Sequence, residues 1–455
     1  MPTADVVVVG AGLAGLTCGL TLAEGGARVL IVAAGQAASH WAAGPLDVAA
    51  PPGAATSRAG LATLAATAGH PYAVLADDVE PALTWLAERL AAEGLPYTGD
   101  LDAPLRSLPT GLGRTRPGAI VPQAMAAAMP AWQPGERLLI VGFGGFKDLW
   151  PAAVAASLRR PAVWQGGSAP PAVGAIVLEL AELSGRRNLN ALHLARLFDE
   201  PGSRLRILEA IARAVERAPG GPARIGLPAA LGLHDHAAVL DEVERRLPWP
   251  AFELPLVPPS LPGMRLVAAL RTAFRRAGGR IQMGQAVARV EQEQGRVARV
   301  VVPAAARDLV VQTGAVVLAT GGIAGGGLVA TSDGRLHEAV LDLPVEAPAA
   351  DAWLAADPFE PAGHPLEAAG VRTDAELRPV DGRGRRPLAG VSICGSLLAG
   401  QRYLRERCGD GVAIASARRA ALAVLEPSGA HDPRAERLAT ASRSRRRPAA
   451  GEAVA

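Results

Sequence analysis

The chain has 455 residues, 49% of them hydrophobic and 20% charged, enough for a sizeable buried core and, at ~150 residues per domain, for two or three domains; a disordered segment and a small disulfide-stapled module are both excluded. Lys plus Arg number 46 against 43 Asp plus Glu, for a net charge of +3, and aromatics make up only 4%, so neither charge nor stacking surface points to nucleic acid. Cys18, Cys394 and Cys408 are too scattered for a disulfide framework or a Cys-x-x-Cys pair, which argues for a cytoplasmic chain without a redox disulfide.

Residues 6–23 are uncharged, but Asp5 stands where a signal segment needs basic residues, and Gly10, Gly12, Gly15 and Gly19 interrupt the run. The pattern predicts a strand over 5–9, a helix over 13–24 and a strand over 28–32, a βαβ opening that implies a parallel, doubly wound α/β sheet of the Rossmann type. Val6-Val-Val-Val-Gly10-Ala-Gly12-Leu-Ala-Gly15 is then a dinucleotide-type fingerprint in its proper context. Gly10 permits the tight turn, Gly12 lets a phosphate approach the backbone, and Gly15 lets the helix pack on the strand. The second strand runs out into Ala33, Ala34, Gly35 and Gln36, with no Asp or Glu for an adenosine ribose. That gap suits a cofactor without the adenosine half, FMN, with FAD as the alternative; Gly35 and Gln36 are expected beside it.

A helix is predicted over 77–93, a Gly/Pro/Arg-rich stretch over 106–122 and a strand over 137–141. From 124 to 257, strand-like runs at 138–141, 175–178 and 224–227 alternate with helices at 190–197 and 203–217, so this span reads as an α/β domain inserted into the flavin-binding domain, whose parts are 1–123 and 258–425. Gly142-Phe-Gly144-Gly145-Phe-Lys147-Asp148 has Lys147 where a third glycine is needed and reads as a turn, not a second nucleotide site. After the prolines of 258–262 come a helix over 264–277, a strand after Gly278 and Gly279, strands at 284–291, 296–302 and 308–312, and a strand 315–318 that ends in Ala319-Thr320-Gly321-Gly322. The runs 390–397 and 408–413 look like a closing strand and helix start against the cofactor. Cofactor contacts are therefore expected at Thr320, Gly321, Gly322, Gly395, Gly409, Gly411 and Val412, while Cys394 and Cys408 are expected to pack. Residues 426–455, with Arg443, Arg445, Arg446 and Arg447, are expected to be disordered. Beyond the opening run no segment offers the ~20 mainly apolar residues of a bilayer span, so any membrane contact should be peripheral.

Several motifs resemble one family. Gly35-Gln-Ala-Ala-Ser-His40, Gly44-Pro-Leu-Asp47, His70-Pro71-Tyr72, Gly144-Gly145-Phe146-Lys147-Asp148, Ala191-Leu-His193-Leu-Ala195-Arg196, Pro258-Pro259-Ser260-Leu-Pro-Gly263-Met-Arg265-Leu, and Gly325-Gly-Gly-Leu328 with Thr373-Asp374 are similar to the B subunit of anaerobic glycerol-3-phosphate dehydrogenase, over residues 5–421. The resemblance implies oxidation of sn-glycerol 3-phosphate to dihydroxyacetone phosphate with electrons passed to quinone. It also implies a complex: a larger, FAD-bearing A subunit, this FMN-bearing chain, and an iron–sulfur C subunit that holds the assembly at the inner face of the cell membrane. The chain departs from the family at Gln401-Arg402-Tyr403-Leu404-Arg405, where an aromatic-Asp-Pro turn is more usual, and at Asp410, which puts an anion where a small residue is usual.

Alcohol oxidation on a flavin needs a base, and a phosphate-bearing substrate needs guanidinium clamps. Arg265, Arg114 and Arg116, each beside Gly or Pro in its stretch, are the candidate clamps; His40 and His337 are the candidate bases. No Ser-His-Asp order and no metal-ligand spacing stands out. Two other readings stay open: an electron-relay or scaffold subunit of the same complex, and a stand-alone FAD-dependent oxidoreductase acting on another hydroxy or keto acid.

Overall fold

Val6–Val9 is a run of four β-branched residues buried on both faces, the pattern of a strand sandwiched between helices. In the computed structural model, which describes residues 2–164, 170–186, 188–305 and 307–426, it is the middle strand of a five-stranded sheet. The order is Arg280–Met283, Val29–Ala33, Val6–Val9, Ala315–Leu318, Val391–Ile393, and every pairing is parallel. The helix Leu13–Glu24 is buried from Leu13 to Ala23, because the helices Leu261–Arg276 and Gly409–Leu425 pack on its outer side. Gly19 makes this close approach possible: a Cβ there would lie 2.8 Å from Ile31 Cδ1 and 3.1 Å from a ring carbon of Phe274.

A second sheet, also all parallel, has the order Ala251–Leu254, Arg224–Pro228, Arg137–Phe143, Ala172–Leu178. It lies within the span 124–257 and has its own hydrophobic core, but that core also takes Leu108, Val121 and Leu261 from outside the span. The fold is therefore an α/β, doubly wound flavin-binding type with a second α/β layer. Several predicted elements shift. The helix expected over 77–93 begins at Tyr72 and carries Pro81 inside it. The helix expected over 264–277 begins at Leu261 with Pro262 in its first turn, where a missing N–H costs nothing. The strand expected over 284–291 forms only at Arg289–Glu293. The strand Ala251–Leu254 and the helix His236–Arg246 were not foreseen. Residues 427–455, nearly all of the stretch expected to be disordered, lie outside the described residues.

Arg265 joins the two layers, and this overturns its expected role as a phosphate clamp. It projects from the helix Leu261–Arg276, and its Nη1 and Nη2 donate to Glu253 Oε2 and Oε1 at 2.7 and 3.0 Å while Nε donates to the Gly232 carbonyl at 2.8 Å. The two side chains are 4% and 0% exposed, so no face of the guanidinium is left for an anion or a partner. Burial pushes the Glu253 carboxyl up, but Arg265 more than offsets it and the net shift is downward. His236, buried beside them with Nδ1 2.6 Å from the Leu231 carbonyl, is pushed down to about 4 by burial and by the Arg265 charge.

Removing one member of such a pair strands the other charge away from water. Glu253→Gln is expected to cost about 3–5 kcal/mol in urea unfolding, and the double replacement Arg265→Met, Glu253→Leu to recover most of that loss. A single replacement with less than 1 kcal/mol effect would show that the pair does not hold the layers together.

Candidate functional site

At the C-terminal edge of the first sheet three chain segments meet where three side chains are missing. Gly10 sits at φ +115°, and a Cβ on it would lie 2.2 Å from the Ala319 carbonyl oxygen; a Cβ on Gly15 would lie 1.9 Å from the Gly10 carbonyl oxygen. The Gly10 amide donates to Val32 O and the Ala319 amide to Val9 O, both at 2.8 Å, which fixes turn, helix and strand end against one another. Gly12 is the N-cap of the helix Leu13–Glu24. The Leu13 amide donates to Ser39 Oγ at 2.9 Å, and a Cβ on Gly12 would sit 3.1 Å from Ala37 Cβ and 3.4 Å from Ser39 Oγ. Gly12 thus lets the turn Ala38–Trp41 come close to a positive helix end without a side chain between them, and such an end suits phosphate.

The end of the strand Ala315–Leu318 reaches the same mouth. Thr320 Oγ1 is buried without a hydrogen-bond partner among the described residues, Gly321 sits at φ +81°, and the Gly322 amide donates to Ser396 Oγ at 3.3 Å. Gly395 touches the first helix, since a Cβ on it would lie 2.8 Å from Ala14 Cβ, but its amide is taken by Ser416 Oγ at 2.9 Å. The side-chain-free backbone of Gly12 at the positive helix end and the Thr320 hydroxyl, without a partner among the described residues, fit a phosphate-bearing, hydroxyl-rich cofactor.

The strand Val29–Ala33 ends without an acid. Gly35 has open space where a Cβ would be, and Gln36 Oε1 accepts from Arg271 Nη2 at 2.8 Å. His40 lies in the turn that follows; burial, and then the Arg271 charge, hold its imidazole below the ordinary range, and its Nδ1 is buried without a partner. His40 is therefore neutral at pH 7.

The start of the helix Gly409–Leu425 departs from expectation. The amides of Asp410 and Gly411 donate to the Asp47 carbonyl at 3.0 and 3.1 Å. A Cβ on Gly411 would lie 2.1 Å from the Tyr72 hydroxyl and 2.9 Å from Val48 O, and one on Gly409 would lie 3.2 Å from Tyr403 Cβ. Val412 is fully buried. Gly411 and Val412 thus pack the helix onto the chain around Asp47 with their amides engaged, and Gly409 packs against Tyr403. Arg114 is exposed, with its carbonyl engaged by Thr110. His337 sits opposite Val329 on a hairpin, Nδ1 3.7 Å from Asp342 Oδ1. No hydrogen bond joins either residue to the glycine mouth among the described residues.

Four charges gather instead where the 42–48 segment meets that helix. Asp410 Oδ2 accepts from the Asp47 amide at 2.8 Å, Asp47 Oδ1 accepts from Arg116 Nη2, and Arg407 carries its charge next to Asp47 and Arg116. Burial, and then the Asp47 charge, push the Asp410 carboxyl up to about 7, against the opposing Asp47 amide and Arg116. Arg116 was foreseen as a clamp; Arg407 was not, and its only sequence signal is a cation beside a Cys-Gly-Asp-Gly turn. Nearby, Glu406 Oε2 lies 3.3 Å from His70 Nε2 and 3.5 Å from Cys408 Sγ, a grouping with metal-ligand chemistry. His70 Nδ1 accepts from the Tyr72 amide at 3.0 Å, so Nε2 carries the proton and faces the carboxylate. With Nδ1 engaged by the Tyr72 amide and Nε2 protonated, no imidazole lone pair is free for an ion.

Between the ordinary carboxyl range and about 7, the folded protein keeps on Asp410 a proton that the unfolded chain releases, so stability falls as pH rises through that window. Asp410→Asn keeps an oxygen acceptor for the Asp47 amide and removes the titration. Its melting temperature should lose most of the decline that the parent shows from pH 4 to pH 7; parallel profiles would place the proton elsewhere.

The chain matches the FAD binding domain family over residues 5–412. It is 36% identical over 430 residues to the B subunit of anaerobic glycerol-3-phosphate dehydrogenase of Yersinia pseudotuberculosis, covering 91% of this chain and 96% of that protein. It is 32% identical over 434 residues to the protein of the same name from Pectobacterium carotovorum, covering 93% and 98%. Among solved structures it is similar to 3-ketosteroid Δ1-dehydrogenase from Sterolibacterium denitrificans, at 13% identity and a TM-score of 0.42, covering 93% of this chain and 99% of that one. No helix among the described residues is long and apolar enough to cross a membrane. A glycine-lined flavin cradle, the FAD binding domain match and relatives alike along nearly their whole length identify the chain as a flavoprotein that belongs to the family of the B subunit of anaerobic glycerol-3-phosphate dehydrogenase.

Proposed function

We propose that the chain is the FMN-bearing member of a complex that oxidises sn-glycerol 3-phosphate to dihydroxyacetone phosphate and passes the electrons to quinone, beside a larger, FAD-bearing partner and through an iron–sulfur partner at the membrane. The single observation that supports the flavin reading best is the side-chain-free Gly12 at the N-terminus of the helix Leu13–Glu24, packed so closely that no Cβ fits easily. The bare end of the strand Val29–Ala33, with Gln36 turned to Arg271, favours FMN over FAD, because no carboxylate waits for an adenosine ribose.

A flavin in this cradle supplies the hydride acceptor; the chain's own groups do the rest. Gly10, Gly12 and Gly15 bring backbone against the cofactor phosphate, Thr320, Gly321 and Gly322 line the other wall, and Gly35 and Gln36 close the far end. His40, next in sequence to the Ser39 that binds the first helix, is the assigned proton acceptor, since a neutral imidazole is ready to take the hydroxyl proton. His337 is the second choice, and Arg114 is an exposed clamp. With neither a redox disulfide nor a second nucleotide fingerprint among the described residues, a reduced flavin needs a partner to discharge it.

Gly12→Val should yield folded protein with little bound flavin, read from visible absorbance per chain; full flavin content would misplace the site. Chromatography of the heat-released cofactor should give FMN, and a predominant FAD peak would overturn that assignment. With an artificial acceptor the isolated chain should turn over glycerol 3-phosphate slowly and the reconstituted complex rapidly; fast turnover by the isolated chain would refute the dependence on partners.

A further inference from the structure

Arg407 stands directly before the N-cap of the helix Gly409–Leu425 in the left-handed region, at φ 46° and ψ 52°. A side chain with a Cβ is disfavoured there, and such strain persists only where the surroundings impose it, which is often at a binding site. Glycine would take this turn freely, yet the position holds a long cation. Its guanidinium is half-buried, and no hydrogen bond or ion pair ends on it among the described residues. Burial lowers the Arg407 pKa, the Asp47 charge opposes that shift and the Arg116 charge adds to it.

Arg116 shows the same incompleteness. Its side chain is 13% exposed and paired with Asp47 through Nη2, while its Nε is buried without a partner among the described residues. Arg116 is thus paired with Asp47 while part of its guanidinium lacks a partner, and the Arg407 charge acts on the same carboxylate with no partner of its own among the described residues. Asp410, its carboxyl pushed up to about 7, is only partly ionised near neutral pH and restores the balance only in part. The cluster therefore keeps part of a positive charge near neutral pH, and its unpartnered guanidinium N–H groups suit an anion. The segment that supplies Asp47 begins at the turn Ala38–Trp41, whose Ser39 binds the first helix at the glycine mouth, so one stretch of chain serves both places.

We propose that Arg407 and Arg116 form an anion clamp for the phosphate group of a small phosphate monoester. Naming glycerol 3-phosphate as that ester rests on the function proposed above; the clamp itself rests on the strained, unpartnered arginine.

The decisive variant is Arg407→Gly, which removes the cation and suits the left-handed turn, so the relieved strain offsets the greater freedom of glycine in the unfolded chain. Calorimetric titration of the flavin-loaded chain with sn-glycerol 3-phosphate, with inorganic phosphate and with glycerol reads the clamp directly. The parent should bind both phosphates, more weakly as salt rises, and glycerol not measurably. Arg407→Gly should weaken both phosphates tenfold or more with a melting temperature no lower than the parent's. Unchanged affinity in the variant, or no binding of either phosphate by the parent, overturns the proposal. Binding of inorganic phosphate as tightly as glycerol 3-phosphate, lost in the variant, supports the clamp and removes glycerol 3-phosphate as its ligand.

Discussion

The architecture depends on one close approach, that of Gly10 to Ala319 and of Gly15 to Gly10. Three backbones come together there at distances no Cβ tolerates, and this lets the middle strand, the first helix and the strand Ala315–Leu318 end at a common point. The helix dipole and the strand end that carries Thr320 are thereby brought to the same edge of the sheet. Any side chain at Gly10 or Gly15 would separate these elements and dissolve the site before touching a cofactor.

The second constraint is the joint between the layers. A helix that covers the first sheet delivers Arg265 into the second, where a fully buried carboxylate receives both arms of its guanidinium. Such a pair stabilises little over an apolar contact of the same volume, but it admits only one geometry. Because Glu253 also accepts the Leu231 amide and Arg265 donates to Gly232, the position of the layers is tied to the loop that starts the helix His236–Arg246. The arginine that looked most like a ligand for phosphate is thereby a fixed internal counter-ion.

What could be read from the sequence follows from how local the signals are. The helix Leu13–Glu24 has the predicted bounds because a valine run, a glycine turn and the following alternation lie within twenty residues of one another. The strand Ala251–Leu254 escaped notice because Glu253 puts a charge between Phe252 and Leu254, which reads as a solvent face; only the distant Arg265 makes that carboxylate an inside residue. Gly409 and Gly411 were assigned to a cofactor because a glycine that admits a tyrosine hydroxyl looks the same in sequence as one that admits a phosphate. The left-handed turn at Arg407 has no sequence signature at all, since nothing about an arginine announces a positive φ.

The interleaving of the two sheets sets an order of assembly. The second sheet draws its strands from 137 to 254 and is complete when those residues have left the ribosome. The first sheet must wait: its opening strands pair with Arg280–Met283 and Ala315–Leu318, the latter pairs in turn with Val391–Ile393, and the Asp47 segment is fastened only when Asp410 arrives, 363 positions later. Long-range pairings of this kind are slow, and they leave apolar edges uncovered in the meantime. During synthesis the valine strand and its glycine turn therefore stay uncovered on one edge until Ala315–Leu318 has been made, which places cofactor capture after most of the chain exists.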